Sequence, residues 1–191
     1  RAYAVGLFPM AERRDDQTLF WIDPEKRGIL PIDRFHLPRR LARQFRRRPF
    51  EVRCDTAFER VIRECAAPAD DRPETWINDE IITLYTELNQ MGRAHSVECW
   101  QAGRLVGGLY GVTLGAAFFG ESMFSRETDA SKIALAHLVA RLRKGGYRLL
   151  DTQFVTNHLT TMGVIEIARV DYHRRLAEGL ACAADFYSFS G

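Results

Sequence analysis

The chain has 191 residues, of which 46% are hydrophobic and 27% are charged, and its formal net charge is +2. These values are typical of a soluble globular protein with one main domain and a small appendage. No run of about 18 apolar residues is present, which excludes a transmembrane helix, and the first residues lack the apolar core of a secretory signal.

The four cysteines favour a reducing compartment. Cys54, Cys65, Cys99 and Cys182 show no CxxC spacing, and each lies in a stretch predicted to be helix or strand. We therefore expect reduced thiols, with neither a metal site nor a disulfide framework, and a cytoplasmic location.

The first 32 residues predict a small N-terminal unit. YAVGLFPM and TLFWIDPEKRGILP combine turn residues and aromatics with short apolar runs, which is consistent with two short strands. The chain begins inside an element and without Met, so we expect this domain to start upstream of residue 1.

A basic helix is predicted from Leu37 until Pro49, which cannot continue a helix. Leu41 and Phe45 are spaced i, i+4 and are expected to face the core. This segment carries six arginines and no acid between residues 39 and 48, on a nearly neutral chain. Such a local basic face indicates an anionic partner bound at one place.

The remaining elements follow an α+β order. Asp55 is predicted to cap a second helix, and residues 78–91 a third. Residues 94–121 predict three short strands with turns at Ala102-Gly103 and Gly115. A long helix starting at Thr128 or Asp129 is then followed by strand, short helix, strand and helix.

Two segments carry a family resemblance, FFGESMFSRETDASK at residues 118–132 and DTQFVTNHLTTMG at residues 151–163. With YAVGLFPM, FWIDPEKRGILP, TWI at residues 75–77 and HSVECWQAGRLVGGLYGV, they resemble leucyl/phenylalanyl-tRNA–protein transferases. The resemblance covers nearly the whole chain with its motifs in family order, and GESMFS followed by DTQ is a specific combination.

The resemblance implies a fold and an activity. The fold is α+β, with a small N-terminal domain (residues 1–32) beside a GCN5-related acetyltransferase-like catalytic domain (residues 33–191). The enzyme would use no metal and no cofactor. It would move Leu or Phe, and Met less well, from aminoacyl-tRNA to the α-amino group of proteins with N-terminal Arg or Lys, marking them for the N-degron pathway.

Asp151 and Gln153 are the predicted catalytic residues. Their i, i+2 spacing on a predicted strand places both side chains on one face. The reaction is aminolysis of an activated ester, which requires positioning, a proton acceptor and an oxyanion donor. A glutamine amide is not basic, so we expect Gln153 to orient the amine or donate to the oxyanion, with Asp151 as its electrostatic partner.

Glu121 is the predicted acceptor-binding residue. It follows Gly120 at a strand end, where a carboxylate can meet the α-ammonium and the first basic side chain of the acceptor protein. The aminoacyl pocket is expected to take Leu or Phe and to refuse charged side chains, and its predicted residues are Leu109, Phe118, Met123, Leu135, Leu138 and Leu150.

The tRNA contacts are predicted at two places. Trp76 is expected to stack on the terminal adenine, and Met10 stands where the family often has Trp in its opening motif. The phosphates of the acceptor arm are expected to bind the exposed arginines of the basic helix. These are Arg39, Arg40, Arg43, Arg46 and Arg47. No exposed heptad or apolar helix face indicates a protein partner, so a monomer is expected.

Three other functions remain as alternatives. An acetyl-coenzyme A acyltransferase would hold the pyrophosphate in a glycine-bearing loop before a helix, whereas residues 122–132 contain no glycine. A transferase that builds cell-wall peptides would share the aminoacyl-tRNA donor but not the GESMFS and DTQ motifs. A non-catalytic RNA-binding protein would leave Asp151, Gln153 and Glu121 without a role.

Overall fold

A computed structural model describes residues 1–10, 20–35, 37–47, 49–68 and 75–189. Arg48 of the predicted basic segment lies outside the described residues. Within these ranges, no helix is both long and apolar enough to cross a membrane.

The strands form two sheets. The smaller sheet pairs β1 (Phe8–Met10) with β2 (Phe20–Ile22) in antiparallel orientation. The larger has seven strands in the order β4-β5-β6-β7-β8-β3-β9. Their bounds are β3 Lys26–Ile29, β4 Glu51–Cys54, β5 Ala94–Gln101, β6 Arg104–Leu114, β7 Ala117–Ser125, β8 Leu149–Gln153 and β9 Ile165–Ala168. All neighbours are antiparallel except β7 and β8.

Helices cover both faces of the large sheet. They are α1 Arg39–Arg46, α2 Phe58–Ala66, α3 Asp79–Gln90, α4 Ala130–Lys144, α5 Asn157–Thr160 and α6 Arg169–Leu180. One core cluster joins α2 and α3 to Tyr110 and Phe119, and the other joins α4 to Leu109 and Phe118. Successive strand residues therefore point to opposite faces, as the two-residue period of a strand requires.

The central meander β5-β6-β7 confirms the predicted strands and both predicted turns. Ala102 and Gly103 have φ of 49° and 74°, and Gly115 has φ of 55°, so each turn uses left-handed backbone. At Gly107 a Cβ atom would lie 2.4 Å from the Cβ of Ala130, so this glycine lets β6 approach the start of α4. The predicted basic helix is also present as α1, with Leu41 buried.

Asp55 does not cap α2, which corrects the sequence prediction. The carboxylate of Glu98, fully buried on β5, instead accepts the backbone N–H groups of Thr56 and Ala57 at 2.9 and 2.8 Å. Asp55 accepts from the backbone N–H of Ser96 at 2.7 Å and contacts Nδ1 of His95 at 2.8 Å. These bonds hold the turn before α2, whose N-cap residue Ala57 has no side-chain cap, and a contact from a neighbouring strand has no local sequence signal.

Strand β3 links the first residues to the large sheet. It lies between β8 and β9, pairing Gly28 with Gln153 and Arg27 with Ile167. The predicted division of the chain at residue 32 places this strand in the N-terminal domain, and that boundary stays a prediction.

Strands β7 and β8 separate after a short parallel contact. They pair only at three positions, ending with Phe119 and Asp151, although β7 continues to Ser125 and β8 to Gln153. The residues beyond this point line opposite sides of a cavity. The divergence of the two strands therefore creates the candidate site.

Candidate active site

The cavity between β7 and β8 has a volume of about 290 Å³ and a mostly apolar lining. Besides Phe154, its main apolar residues come from three strands of the large sheet (β6, β7 and β8) and from the helices α4 and α5. They are Leu109, Met123, Leu135, Leu138, Leu150 and Leu159. Apolar walls with a few convergent polar groups are typical of small-molecule sites.

Five of the six residues predicted for the aminoacyl pocket line this cavity, and Phe118 is the exception. Phe118 is fully buried and stacks on Phe186 at a ring distance of 6.0 Å. It therefore belongs to the core that supports the cavity, because its strand position points it into the α4 layer. Leu159, which the sequence did not indicate, lines the wall instead.

A β-bulge directs Glu121 into the cavity. Tyr110 pairs with Ser122 and Gly111 pairs with Gly120, so Glu121 is the extra residue on β7 and has no cross-strand partner. Bulges often re-aim a side chain next to an active site. The side chain of Glu121 consequently lines the cavity while the residue is only 8% exposed.

Two tyrosine hydroxyls hold the Glu121 carboxylate. Tyr3, from the 3-10 turn Ala2–Val5, donates to Oε1 at 2.7 Å, and Tyr85 of α3 donates to Oε2 at 3.3 Å. The two hydroxyls lie 2.5 Å apart. Burial, followed by the charge of Glu121, raises the pKa of both tyrosines, so they remain neutral donors.

The pKa of Glu121 is raised to about 7, chiefly because burial disfavours its charged form. The hydrogen bond from Tyr3 lowers the pKa, and the negative charge of Asp151 raises it. Glu121 can therefore exchange a proton near neutral pH, which a solvent-exposed carboxylate cannot do.

Gln153 is the second polar residue of the cavity. Its φ is 62°, a left-handed conformation that ends β8 and is uncommon outside glycine. Its side-chain Nε2 is buried and makes no hydrogen bond of normal geometry with any residue in the described ranges. The amide also lowers the pKa of Glu121, so the two side chains face each other closely. A buried amide donor without a well-formed hydrogen bond is suited to a ligand oxygen.

Asp151 lies beside the cavity and not in its wall. It is fully buried, and its carboxylate forms a bidentate ion pair with Arg27 at 3.0 and 2.7 Å. It also accepts the Tyr172 hydroxyl at 2.8 Å and the backbone N–H of Gln153 at 2.8 Å. The two predicted catalytic side chains therefore do not both enter the cavity, and Asp151 is placed to support Gln153.

The two residues predicted to contact adenine lie elsewhere. Met10 is 38% exposed at the end of β1, and Trp76 precedes α3, partly buried against the α2–α3 core. Neither lines the cavity wall. Strand β1 does reach a residue of the cavity wall. The ring of Phe8 packs edge-on against that of Phe154 at 5.5 Å, and Phe154 lines the cavity. The adenine contact remains a prediction.

The arginines of α1 form an exposed basic surface. Leu41 turns inward, whereas Arg39, Arg43, Arg46 and Arg47 are exposed. Arg40 is exposed as well, but its guanidinium contacts Asp129, at the start of α4, at 2.6 Å. This ion pair ties α1 to α4. The phosphate contacts of these arginines are not tested by the structure.

Sequence reasoning missed Tyr3, Tyr85 and Arg27. Tyr3 and Arg27 belong to the resemblance segments YAVGLFPM and FWIDPEKRGILP, which gave no local reason to single them out. Tyr85 lies on the buried face of α3, and the partner of its hydroxyl is distant in sequence. Only tertiary contacts identify these three residues as part of the site.

Comparisons with known proteins agree on one family. The profile of the family described as "Leucyl/phenylalanyl-tRNA protein transferase" matches residues 29–177, and the profile of its N-terminal domain matches residues 1–25.

Similar proteins bear the same name. The chain is 63% identical over 186 residues to the leucyl/phenylalanyl-tRNA–protein transferase of Paramagnetospirillum magneticum, covering 97% of this chain and 89% of that protein. It is 61% identical over 188 residues to that of Caulobacter vibrioides strain NA1000, covering 98% and 87%. Identity to the Rhodospirillum rubrum protein is 59% over 186 residues, covering 97% and 87%. Because both profile and relatives extend over nearly the whole chain, it belongs to the leucyl/phenylalanyl-tRNA–protein transferase family.

Proposed function

We propose that this chain is an aminoacyltransferase that moves Leu or Phe, and Met less well, from aminoacyl-tRNA to the α-amino group of proteins beginning with Arg or Lys. The observation that carries the proposal is one cavity with a leucine-rich wall and, at its polar side, the facing side chains of Glu121 and Gln153. Family membership supports the same activity.

The apolar wall suits the side chain of the donor amino acid. Five leucines and Met123 surround it, and no arginine, lysine or aspartate is among the residues of the wall. Apart from Glu121, which is assigned to the acceptor, these wall residues offer a charged aminoacyl group no partner for the hydration that it would lose. Met123 is flexible and polarisable, which suits a pocket that accepts two different apolar shapes.

Glu121 meets the acceptor protein. The incoming α-amine has a pKa of about 7.7–8 when free, so most of it arrives as ammonium at neutral pH. With its pKa of about 7, the ionised Glu121 can attract the ammonium, and it can take up the proton that must leave before attack. The same carboxylate favours an N-terminal Arg or Lys through charge.

Gln153 acts at the carbonyl of the ester. The neutral amine nitrogen attacks the carbonyl carbon, a C–N bond forms, and the negative charge collects on the carbonyl oxygen. The Nε2 of Gln153, which makes no well-formed hydrogen bond within the described residues, donates to this oxyanion. The attacking nitrogen then gives up a proton, the carbonyl re-forms as the C–O bond to the terminal ribose breaks, and the proton passes to the ribose oxygen. No covalent enzyme intermediate is needed.

The tRNA itself binds outside the cavity. The exposed arginines of α1 contact phosphates of the acceptor arm, where the planar guanidinium gives bidentate contacts. Trp76 and Met10 contact the terminal adenosine. Together these contacts hold the ester at the cavity while the amino-acid side chain enters the apolar wall.

The finer assignments belong to the same proposal. The large domain is GCN5-related acetyltransferase-like, and the reaction uses no coenzyme and no metal. The protein acts as a cytoplasmic monomer and feeds the N-degron pathway. Its four free cysteines are consistent with a reducing compartment.

A transfer assay tests the proposal. Radiolabelled Leu-tRNA and Phe-tRNA are incubated with the protein and with peptides that begin with Arg, Lys, Asp or Ala. Label is expected on the Arg and Lys peptides only. Label on the Asp peptide would give the enzyme a different acceptor, and no label on any peptide would refute the transferase function.

A further inference from the structure

Arg27 is linked through other residues to both halves of the polar site, although it does not line the cavity. It lies on β3 and is 1% exposed. Its Nε and Nη2 atoms donate to the carboxylate of Asp151 at 3.0 and 2.7 Å, and its Nη1 atom donates to the carbonyl oxygen of Gly6 at 3.0 Å. The rings of Phe8 and Tyr172 each lie 4.4 Å from the guanidinium carbon.

The first half of the site is Gln153. Its left-handed φ of 62° is unfavourable for a residue with a side chain, so the surrounding contacts must hold it. The backbone N–H of Gln153 donates to Oδ1 of Asp151 at 2.8 Å. Oδ1 also accepts from Nε of Arg27, so the guanidinium fixes the carboxylate that fixes Gln153.

The second half is Glu121, which Arg27 reaches through the N-terminal segment. Gly6 has φ of 84° and ends the 3-10 turn that carries Tyr3. Tyr3 in turn donates to Glu121 at 2.7 Å. The bond from Arg27 to the Gly6 carbonyl therefore anchors the turn that holds the carboxylate of Glu121.

We propose that Arg27 is a positioning residue of the transfer reaction, which sets the geometry of Gln153 through Asp151 and that of Glu121 through Gly6 and Tyr3. The inference rests on the proposed function. A guanidinium is required because its donors point in several directions within one plane, whereas the ammonium of a lysine is a single centre.

Two substitutions of Arg27 and one matched control test the proposal. Arg27→Met removes the charge and all of the donors, and Arg27→Lys keeps only the charge. Lys26→Met is the control, because Lys26 is the neighbouring residue of β3 and also pairs with a carboxylate, Glu166 at 3.6 Å, but at the surface. Steady-state and single-turnover transfer are measured with Leu-tRNA and a peptide that begins with Arg.

We expect kcat to fall ~100-fold in Arg27→Met and ~10-fold in Arg27→Lys, with the KM for Leu-tRNA within ~3-fold of wild type. Lys26→Met should match wild type. A loss that appears in KM alone, or equal activity in all four proteins, would overturn the proposal.

A second measurement separates positioning from loss of the fold. The variant Arg27→Met with Asp151→Asn leaves no unpaired buried charge, so it is expected to fold. Its loss of kcat should be no greater than ~3-fold beyond that of Arg27→Met alone, because both residues act through Gln153. A loss of kcat in the double variant well beyond this limit, as two independent effects would give, would overturn the proposal.

Hydrogen exchange of the Gln153 backbone amide gives a readout that does not depend on activity. Exchange should accelerate in Arg27→Met while the amides of the β5-β6-β7 meander remain protected. Unchanged protection at Gln153 would refute the positioning role. Absence of transfer in wild type would instead refute the proposed function, and the exchange result would then stand alone.

Discussion

The side chains of Glu121 and Gln153 face each other across one cavity, although the strands that carry them stop pairing at Phe119 and Asp151. Two irregularities make this possible. Glu121 is the extra residue of a bulge on β7, and Gln153 ends β8 in a left-handed conformation. A regular pair of parallel strands would have continued to hydrogen-bond at this point and left no cavity.

Replacement of Glu121 by Gln should change how stability depends on pH. The pKa of Glu121 is raised from an ordinary 4.5 to about 7 in the folded protein. At pH values between these two pKa values, Glu121 is protonated in the folded state and ionised in the unfolded chain. The stabilisation from this proton is complete below about pH 4.5 and is lost as pH rises through about 7.

Chemical unfolding at pH 5 and pH 8 measures the effect. Relative to wild type, Glu121→Gln should gain about 2–3 kcal/mol of unfolding free energy on going from pH 5 to pH 8. Glu59→Gln, at an exposed carboxylate on α2, should not gain in this way. If the unfolding free energies of wild type and Glu121→Gln change by the same amount between pH 5 and pH 8, burial does not raise the pKa of Glu121.

Enlargement of Leu138 should alter the choice of donor. Leu138 is 1% exposed and lines the cavity, so Leu138→Phe places extra volume where the donor side chain is expected to lie. We expect kcat/KM to fall ~10-fold more with Phe-tRNA than with Leu-tRNA, because the larger group loses more of its room. Overpacking should also cost ~1–3 kcal/mol of stability.

The control for this change is Leu84→Phe, at a leucine of α3 that is 45% exposed. It should keep the wild-type ratio of Phe to Leu transfer. An unchanged ratio in Leu138→Phe as well would mean that the donor side chain binds outside the cavity.

Charge reversal on α1 should weaken tRNA binding without slowing the chemical step. In Arg43→Glu with Arg47→Glu, two exposed cations are replaced by anions that repel phosphates. We expect the Kd for tRNA to rise ~10-fold or more, and the dependence of log Kd on log salt to become shallower by about 1–2 units. The single-turnover rate at saturating tRNA should stay near wild type.

Filter binding across a salt series measures these effects. The control is Arg174→Glu with Arg175→Glu, which reverses the same charge at two exposed arginines of α6. Equal weakening in both double variants would show only a general effect of net charge, and the assignment of α1 as the phosphate-binding surface would then be wrong.

Sequence patterns predict the elements better than their arrangement. The meander β5-β6-β7 was predictable because its turns at Ala102-Gly103 and Gly115 are local features. The position of β3 was not, because Gly28 pairs with Gln153 and Ile167 with Arg27 through contacts between residues far apart in the chain. The cap predicted at Asp55 failed for the same reason, since the carboxylate that holds the turn before α2 is that of Glu98, on another strand.

The site shows the same division. Glu121, Met123 and Leu150 could be named from the sequence because they fall in or next to the GESMFS and DTQ segments. The other leucines of the wall that were named come from β6 and α4. The expectation that Asp151 and Gln153 share the site assumed a regular strand, whereas β8 has an extra residue at Thr152 and a positive φ at Gln153. Beside them lies the buried ion pair of Asp151 with Arg27, which no local pattern indicates.

The measurement that tests the central claim most directly is transfer of label from Leu-tRNA to an Arg-initiated peptide by Gln153→Glu. This substitution keeps the shape of the side chain, removes the Nε2 donor and adds a negative charge beside Glu121. We predict a loss of ~10²–10³ in single-turnover rate, as is typical when an oxyanion donor is removed. Gln101→Glu, the same change at an exposed glutamine at the end of β5, should be as active as wild type. If Gln153→Glu transfers at the wild-type rate, the cavity between β7 and β8 is not where the ester is attacked.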